Sequence, residues 1–277
     1  MKFKEFDADM RQYEQSLDVT IPEDQYVIVR LDGQGFTRLT KDVLNLEAPF
    51  DERFRNLMRN TMEYLMKDSG FHFTFGYVQS DEISLLLKKD DNTFGRKTRK
   101  FNSVLAGKAS AVFTLNLAAF PGLPNEICNF DCRVIPLPSE KEVIDYFTWR
   151  MEDSARNALN SYTYWTMRKD GVTPNKAASM MKFMTTEDKI EYLGQHGISY
   201  DQVPEWQKFG SVAYFHEVER EGRNPMTGET VPVRRTILEI GSVSEGLTVP
   251  DIRNYCTEVL SKHAEIEVAD KEMEERV

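Results

Sequence analysis

Two short acidic segments, about fifty residues apart, carry the side chains of this sequence that are best suited to catalysis. Asp32 and Gly33 end one apolar run, and Asp81 and Glu82 stand between two others. Two carboxylates about 4 Å apart repel each other by roughly 4 kcal/mol at an effective dielectric of about 20, and a shared proton or bound Mg²⁺ offsets that repulsion. Two such ions clamp the attacking and leaving oxygens of a phosphoryl displacement. The pattern predicts nucleotidyl transfer at two Mg²⁺ ions, held by Asp32, Asp81 and the backbone carbonyl of Gly33.

The order of the predicted elements explains how residues so far apart in sequence would meet. The first half of the chain reads β-α-β-β-α-β, which indicates an α+β fold with a ferredoxin-like sheet. Right-handed crossovers place the third strand between the first and the second, antiparallel to both, so the end of the first strand lies beside the start of the third. Asp32 and Asp81 occupy these two places. The predicted strands are residues 26–31, 71–78, 82–87 and 133–137, and the predicted helices are residues 51–68 and 96–119.

The second half of the chain is predicted to add helices and a hairpin to this sheet. Residues 1–165 form the catalytic core in this interpretation, and residues 166–277 are an elaboration packed on it rather than a separate domain. Ser139 and Glu142 form a Ser-x-x-Glu capping box at the start of a long helix, and Thr173 starts a short helix before a proline. The remaining predictions are a helix at 186–193, a hairpin of 209–219 with 231–239, a turn at 222–228 and a helix at 250–269.

Composition and charge limit the function classes. The chain has 277 residues and a net charge of −10, which argues against a general coat on nucleic acid but leaves room for a local basic surface. Much of the acid lies in residues 265–275, a predicted solvated tail. No run approaches the ~20 apolar residues that span a bilayer, and the N-terminus lacks the apolar core of a signal peptide. The odd number and the spacing of Cys128, Cys132 and Cys256 predict free thiols in a reducing, cytoplasmic compartment, without a disulfide framework or zinc site.

Several backbone and basic groups are candidates for binding phosphate. Residues 34–37 follow Gly33 and present successive N–H groups to an anion. A basic cluster, residues 96–100, opens a predicted helix, where cations oppose the macrodipole unless an anion lies nearby. A solvated basic face is the alternative. An idealised helix would begin at the opposite end of the sheet from Asp32, so the cluster reaches the acids only if the helix starts late or leans. Further candidates are Arg30, Lys41 and Arg133.

Taken together, these motifs resemble those of the tRNA(His) guanylyltransferase family. The resemblance rests on residues 30–38, 49–51, 79–84, 96–100, 106–111 and 130–134, and it covers about residues 1–165. It implies a polymerase-palm fold for those residues and an enzyme that extends the 5′ end of tRNA in the 3′-to-5′ direction. In that chemistry a nucleoside triphosphate, ATP or GTP, activates the 5′ end, and the 3′-hydroxyl of an incoming GTP then attacks it. A homotetramer is a further implication of the resemblance.

The resemblance also assigns roles to individual residues. Carried over by motif, the metal ligands are Asp32, Gly33 and Asp81, and Glu82 joins the two aspartates as a predicted catalytic acid. Residues that handle triphosphate in the family match Arg30, Ser80, Lys100 and Arg133. Together with the candidates above, the predicted nucleotide-binding set is Arg30, Gly33, Gln34, Gly35, Phe36, Thr37, Ser80, Lys97, Lys100 and Arg133.

Three departures separate this chain from the pattern of eukaryotic family members. Glu47 and Ala48 stand where those members have a lysine, and Thr37 stands where they have a histidine. Residues 155–161 keep only two residues of a His-Ile-Asn-Asn-Leu-Tyr-Asn segment. The chain therefore resembles the bacterial-type branch, whose members favour template-directed repair of 5′-truncated tRNAs, and the sequence does not imply a preference for tRNA(His).

Two other interpretations of the same residues stay open. A nucleotide cyclase or diguanylate-cyclase-like enzyme shares the palm and the paired acids, and it would form a cyclic product from GTP alone. A non-catalytic RNA-binding module on a ferredoxin-like sheet would present aromatic side chains on its central strands. Phe73, Phe75 and Tyr77 are predicted to share one face of their strand, although a buried sheet face has the same pattern.

Overall fold

The computed structural model describes residues 3–223, 226, 229–242 and 252–264 of the chain. Its strands are β1 (Tyr26–Gly33), β2 (Phe73–Gln79), β3 (Glu82–Leu87), β4 (Phe130–Leu137), β5 (Ser211–Arg223) and β6 (Thr230–Ser242). They form one antiparallel sheet in the spatial order β4-β1-β3-β2-β5-β6. The predicted ferredoxin-like order, with β3 between β1 and β2, is confirmed, and the hairpin of β5 and β6 extends the sheet beyond β2.

Helices cover both faces of the sheet. One face packs against α3 (Glu52–Asp68) and α4 (Thr98–Ala118), and the other packs against α5 (Glu140–Lys169) and α9 (Ile252–His263). We call them the α3/α4 face and the α5/α9 face. The other helices are α1 (Phe3–Gln15), α2 (Phe36–Arg38), α6 (Pro174–Met181), α7 (Thr186–Gln195) and α8 (Glu205–Phe209), with a π-helical turn at Leu39–Val43 and 3₁₀ turns at Thr93–Arg96 and Tyr200–Gln202. None of the described helices is long and apolar enough to cross a bilayer.

Alternation along β1 decides which side chains reach which face. Val29 and Leu31 belong to the core on the α3/α4 face. Ile28 belongs to the core on the α5/α9 face, so the period of two in a strand puts Arg30 and Asp32 on that face as well. Two charged residues therefore follow an apolar one at the end of β1, on the side of the sheet that α5 covers.

The aromatic residues of β2 do not share a face. A register shift between Phe73 and Phe75 in the pairing with β3 puts Phe73 in the α3/α4 core, while Phe75 and Tyr77 lie in the α5/α9 core. All three are buried, with exposed fractions of 4%, 1% and 2%. The prediction that they share one face is wrong because an irregularity in the strand pairing reverses the alternation. None of the three is exposed enough to stack on an RNA base.

Helix N-termini match the predictions in part. α6 begins after Thr173 with a proline at its first position, as predicted. α5 follows Ser139, but the Ser139 hydroxyl donates to the Glu142 carboxylate instead of accepting from the backbone, so the predicted capping box is wrong. A capping box is present at α7, where the Thr185 side chain accepts from the backbone N–H of Asp188.

Several elements differ from prediction at their ends. α4 begins at Thr98 rather than at residue 96, and β4 begins at Phe130 rather than at residue 133. The predicted helix at 250–269 corresponds to α9, which the structure describes over Ile252–His263. Most of the predicted turn at 222–228 and the whole predicted tail at 265–275 lie outside the described residues. The three cysteines are free thiols.

Candidate functional site

The end of β1 and the start of β3 bring the two acidic segments together. Asp32 pairs with Glu82 in the β1–β3 register, and the backbone N–H of Gly33 donates to the carbonyl oxygen of Asp81 at 2.9 Å. Direct cross-strand partners leave a sheet on the same face. Asp81 lies in the turn between β2 and β3, after Ser80, whose φ of 52° is left-handed. The three acids line one cavity of about 210 Å³ between this end of the sheet and α5, which we call the acidic cavity.

Asp32 and Asp81 carry charge that their surroundings do not neutralise. Neither forms an ion pair with any residue in the described ranges, and the Ser80 hydroxyl donates to Asp81 Oδ1 at 3.0 Å. Burial raises the pKa of Asp81, and the negative charge of Asp32 adds to that rise. A cation bound between the two carboxylates would remove this penalty.

The donor set fits Mg²⁺ rather than a softer metal. Among the described residues, no group of three His, Cys, Asp or Glu side chains is arranged to hold a metal ion. The predicted ligands are instead two carboxylates, Asp32 and Asp81, with the backbone carbonyl of Gly33. Mg²⁺ is bound in this way, through one or two carboxylates, and it keeps its other positions for water and substrate phosphate.

Glu82 differs from the two aspartates because arginines occupy its carboxylate. Arg150 on α5 donates from Nε to Oε1 at 2.7 Å and from Nη2 to Oε2 at 2.9 Å, and Arg30 Nε lies 3.6 Å from Oε2. Burial raises the pKa of Glu82, and the charges of Arg150 and Arg30 oppose that rise. A bidentate pair of this kind fixes both partners in one geometry. Glu82 therefore holds two arginines beside the aspartates, and its oxygens are not free to bind a metal.

Arg30 and Arg133 add positive charge at the same end of the sheet. They are opposite each other in the β1–β4 register, on the α5/α9 face. Arg30 Nε is buried without a hydrogen-bond partner, which costs free energy unless a ligand accepts from it. Arg133 is exposed and lies 3.9 Å from Asp131, which pairs with Asp32 across β4 and β1. The site thus combines acids for a cation with guanidinium groups for an anion.

Sequence reasoning overlooked Arg150 and Asp131. Arg150 is 68 residues from Glu82, on a helix whose packing against the sheet has no local sequence signature. One signal was present in the sequence, where Arg150 stands between the large apolar residues Trp149 and Met151 of a predicted helix. In the structure Met151 is fully buried, and the guanidinium of Arg150 lies 4.6 Å from the centroid of the Trp149 ring. A charged residue next to a core position is rarely buried without a partner.

Comparison with known proteins decides the family. Residues 7–138 match the family described as tRNAHis guanylyltransferase, and residues 141–272 match the Thg1 C terminal domain. A tRNA(His) guanylyltransferase from Candida glabrata is 30% identical over 213 residues, which cover 73% of this chain and 87% of that protein. The chain belongs to the tRNAHis guanylyltransferase family.

Two solved structures of the guanylyltransferase family and its relatives share the fold. The tRNA(His) guanylyltransferase from Saccharomyces cerevisiae has a TM-score of 0.67 and 28% identity, over 73% of this chain and 90% of that one. A bacterial tRNA(His) guanylyltransferase-like protein in complex with ATP has a TM-score of 0.64 and 29% identity, over 76% of this chain and 88% of that one. Eukaryotic and bacterial proteins therefore resemble this guanylyltransferase-family chain to a similar degree.

The turn after β1, which carries the guanylyltransferase motif, is anchored by Phe36. The Phe36 ring is buried and packs on Phe113 and Phe130, each with a centroid distance of 5.0 Å. A Cβ on Gly33 would lie 2.5 Å from the Phe36 ring, and Gly35 has a φ of 73°. Phe36 is a core residue, so its backbone alone can face a ligand, whereas the exposed residues of the turn are Gln34, Gly35 and Thr37. The N–H of Gln34 donates to the carbonyl oxygen of Asn129 at 2.8 Å, so the prediction that it faces a phosphate is wrong. Phosphate binding by the N–H groups of residues 35–37 stays a prediction.

Replacing Gly33 with alanine is expected to lower the free energy of unfolding by about 1–3 kcal/mol, because either the Phe36 ring or the turn must move. Gly107→Ala is a matched control, since a Cβ at Gly107 on α4 meets no atom within 4 Å. That change is expected to stabilise the chain by up to about 1 kcal/mol, the helix-propensity difference. Urea denaturation measures both variants, and equal stabilities would contradict the close approach of the turn to Phe36.

Lys97 and Lys100 lie at the other end of the sheet. The backbone of Lys97 bridges Thr20, in the segment that leads to β1, and Lys97 Nζ pairs with Asp18 at 2.8 Å. Arg96, next to Lys97, donates to the carbonyl oxygen of Gln25, one residue before β1. Because a strand advances about 3.3 Å per residue, β1 separates this end of the sheet from Asp32 by about 20 Å. α4 begins at this far end and runs back toward the start of β4. The structure therefore brings Arg30, Gly33, Ser80 and Arg133 to the aspartates but does not bring Lys97 and Lys100 to them within one chain.

A second cavity, of about 170 Å³, adjoins the acidic cavity. Both are lined by Phe50, Ser80 and Ser161. We call it the aromatic cavity because Trp165 and Trp206 also line it, and because Phe50 packs against Trp206 with a centroid distance of 6.0 Å. Its lining combines aromatic rings, which suit a planar ring system in the ligand, with charged side chains that include Glu47 and Arg55.

Proposed function

We propose that this chain is an Mg²⁺-dependent nucleotidyltransferase that adds nucleotides to the 5′ end of tRNA in the 3′-to-5′ direction. The observation that carries the proposal is the convergence of Asp32 and Asp81, without a cationic partner in the described residues, beside Arg30 and Arg133. Membership of the tRNAHis guanylyltransferase family supports the same reaction. Carboxylates held together against their repulsion are typical of a functional site.

Each part of the site has a role in this reaction. Asp32, Asp81 and the carbonyl of Gly33 would hold two Mg²⁺ ions, which when bound polarise phosphoryl oxygens and make a hydroxyl a better nucleophile. Arg30 and Arg133 bind the negative charge of a triphosphate, and the N–H groups of residues 35–37 orient it. Glu82 contacts Arg30 and Arg150, and it fixes the guanidinium group of Arg30 before the phosphates arrive.

The aromatic cavity is the proposed site for the base of GTP or ATP. It opens beside Ser80, one residue before Asp81, so a nucleotide whose base lies there has its phosphates near the aspartates. Trp206 supplies a ring face for stacking, which tolerates either purine. The bacterial relative in complex with ATP supports the presence of a nucleotide site on this fold.

We further propose that the chain acts as a bacterial-type member, repairing 5′-truncated tRNAs by copying the opposing strand. The support is in the sequence, where Thr37, Glu47 and Ala48 depart from the eukaryotic pattern. Base pairing with the opposing strand would then select the incoming nucleotide, so that no single tRNA is required. A cytoplasmic homotetramer is the expectation that goes with this branch.

Incubation with labelled GTP, ATP, Mg²⁺ and tRNA transcripts tests the proposed function. Transcripts that lack the first nucleotide are expected to become longer by residues that pair with the opposing strand. A cyclic product from GTP without RNA would support the cyclase alternative instead. RNA binding that is independent of Mg²⁺ and gives no extended product would support the non-catalytic module.

A further inference from the structure

A third cavity continues the groove away from the aspartates. It has a volume of about 550 Å³ and shares Asn157 and Ser161 with the acidic cavity, and Lys41 and Trp165 with the aromatic cavity. Residues of α5 line all three cavities. Because a helix advances about 1.5 Å per residue, the α5 path from Arg150 to Trp165 is about 22 Å long. This length accommodates a few nucleotides of an extended strand.

Lysine is the only charged residue type among the described residues that line this third cavity. The three are Lys41, Lys182 and Lys189, and we call it the lysine cavity. Within the described ranges, none of their ammonium groups has an ion pair or a hydrogen-bond acceptor. Lys41 Nζ lies 5.5 Å from the centroid of the Trp165 ring, and Lys189 is half-buried. Three like charges around one concave surface attract an anion, and they do so locally against the net negative charge of the chain.

A cavity of mixed charge at the opposite end of the sheet shows the contrast. It has a volume of about 540 Å³, and acids line it together with its cations. Lys88 pairs with Asp90 at 3.4 Å, and Lys89 donates to the Tyr26 hydroxyl at 3.2 Å. Arg96 there is saturated by backbone carbonyls. That cavity neutralises its own cations, whereas the lysine cavity leaves its charge for a ligand.

We propose that the lysine cavity binds the sugar-phosphate backbone of the RNA strand whose 5′ end lies in the acidic cavity. Lys41, Lys182 and Lys189 contact successive phosphates, and Trp165 stacks on a base. The inference rests on the proposed function, because it takes the occupant of the groove to be the RNA substrate. Lysine–phosphate contacts and base stacking carry no sequence preference. This docking surface therefore suits an enzyme that accepts different tRNAs.

The test measures the dissociation constant of a tRNA transcript, over a range of NaCl concentrations, for the full-length chain and its Lys182→Gln, Lys189→Gln and double variants. Each lost phosphate contact is expected to weaken binding severalfold, and the double variant about tenfold. The slope of log K against log salt is expected to fall by about 1 for each lysine removed. Lys176→Gln makes the same charge change at an exposed position of α6 outside the cavity, and is expected to leave both values unchanged. GTP affinity is expected to be the same in all variants.

Three outcomes decide between this docking surface, a net-charge effect and a triphosphate subsite. Equal weakening by Lys176→Gln and Lys182→Gln would overturn the docking surface, because net charge alone would then account for the effect. A loss of GTP affinity with unchanged tRNA affinity would also overturn it and would make the cavity a triphosphate subsite. If the lysine variants lose tRNA affinity as expected but the parent chain never extends tRNA, the docking surface is supported and the proposed function is contradicted.

Discussion

Asp32→Asn and Asp81→Asn are each expected to slow nucleotide addition by about a thousandfold or more at saturating tRNA and ordinary Mg²⁺. Each change removes one of the two carboxylates that would hold the metal ions, and several kcal/mol of lost transition-state stabilisation corresponds to that factor. Asparagine keeps the size of aspartate, so the β1–β3 pairing and the turn at Ser80 stay in place. The rate of labelled nucleotide incorporation into tRNA measures the loss.

The same two variants are expected to melt at a higher temperature than the parent chain when Mg²⁺ is absent. The raised pKa of Asp81, due to burial and to the charge of Asp32, means that folding brings together carboxylates that would be better solvated apart. A group whose folded pKa is raised in this way destabilises the fold above that pKa. Neutralising Asp81 removes this penalty, and neutralising Asp32 removes the smaller part of it that is due to repulsion between the two carboxylates. Added Mg²⁺ is expected to stabilise the parent chain and to leave the variants unchanged.

Asp68→Asn is the matched control for both measurements. Asp68 is exposed at the end of α3, away from the acidic cavity, and its substitution makes the same change of charge. We expect ordinary activity and an ordinary response to Mg²⁺ from this variant. Full activity of Asp32→Asn, or a lower melting temperature of both aspartate variants without Mg²⁺, would contradict the idea that the pair is a cation site.

Arg96→Met is expected to lower the free energy of unfolding by about 4 kcal/mol. Arg96 is 2% exposed, and its guanidinium donates over 2.8–3.3 Å to the carbonyl oxygens of Ile21, Pro22, Gln25, Lys89 and Asp91. These contacts join the segment before β1 to the segment after β3. Methionine restores most of the volume but no donor. Each buried carbonyl that loses its hydrogen bond costs about 1–3 kcal/mol, and the total is smaller than the sum because water replaces some of the lost donors.

Arg99→Met is the control, because Arg99 is exposed and pairs with Asp18 at the surface. A surface ion pair contributes at most about 1 kcal/mol. Urea denaturation of both variants measures the difference, and activity per folded molecule is expected to stay unchanged because Arg96 lies at the far end of the sheet from Asp32. Equal destabilisation by the two changes would contradict a special role for Arg96. Arg96 is therefore expected to stabilise the fold rather than to bind phosphate, although it belongs to the basic cluster at 96–100.

The convergence of Asp32 and Asp81 could be predicted from the sequence because it depends on short-range rules. Apolar runs locate the strands, and the single handedness of crossovers puts β3 beside β1. The period of two then places Arg30 and Asp32 on one face. The glycine at position 33 could be predicted as a point of close approach, although the group that approaches it, the Phe36 ring, could not.

Other features were decided only by the tertiary structure. The pairing of Arg150 with Glu82 joins residues 68 apart, and the lysine cavity joins the π-helical turn to the segments around α6 and α7. The direction of α4 keeps Lys97 away from the aspartates. The irregular pairing at Phe73 puts its side chain on the opposite face of the sheet from Phe75 and Tyr77. Such contacts depend on where a helix axis crosses the sheet and how the whole core packs beneath it, which no periodicity within one element encodes.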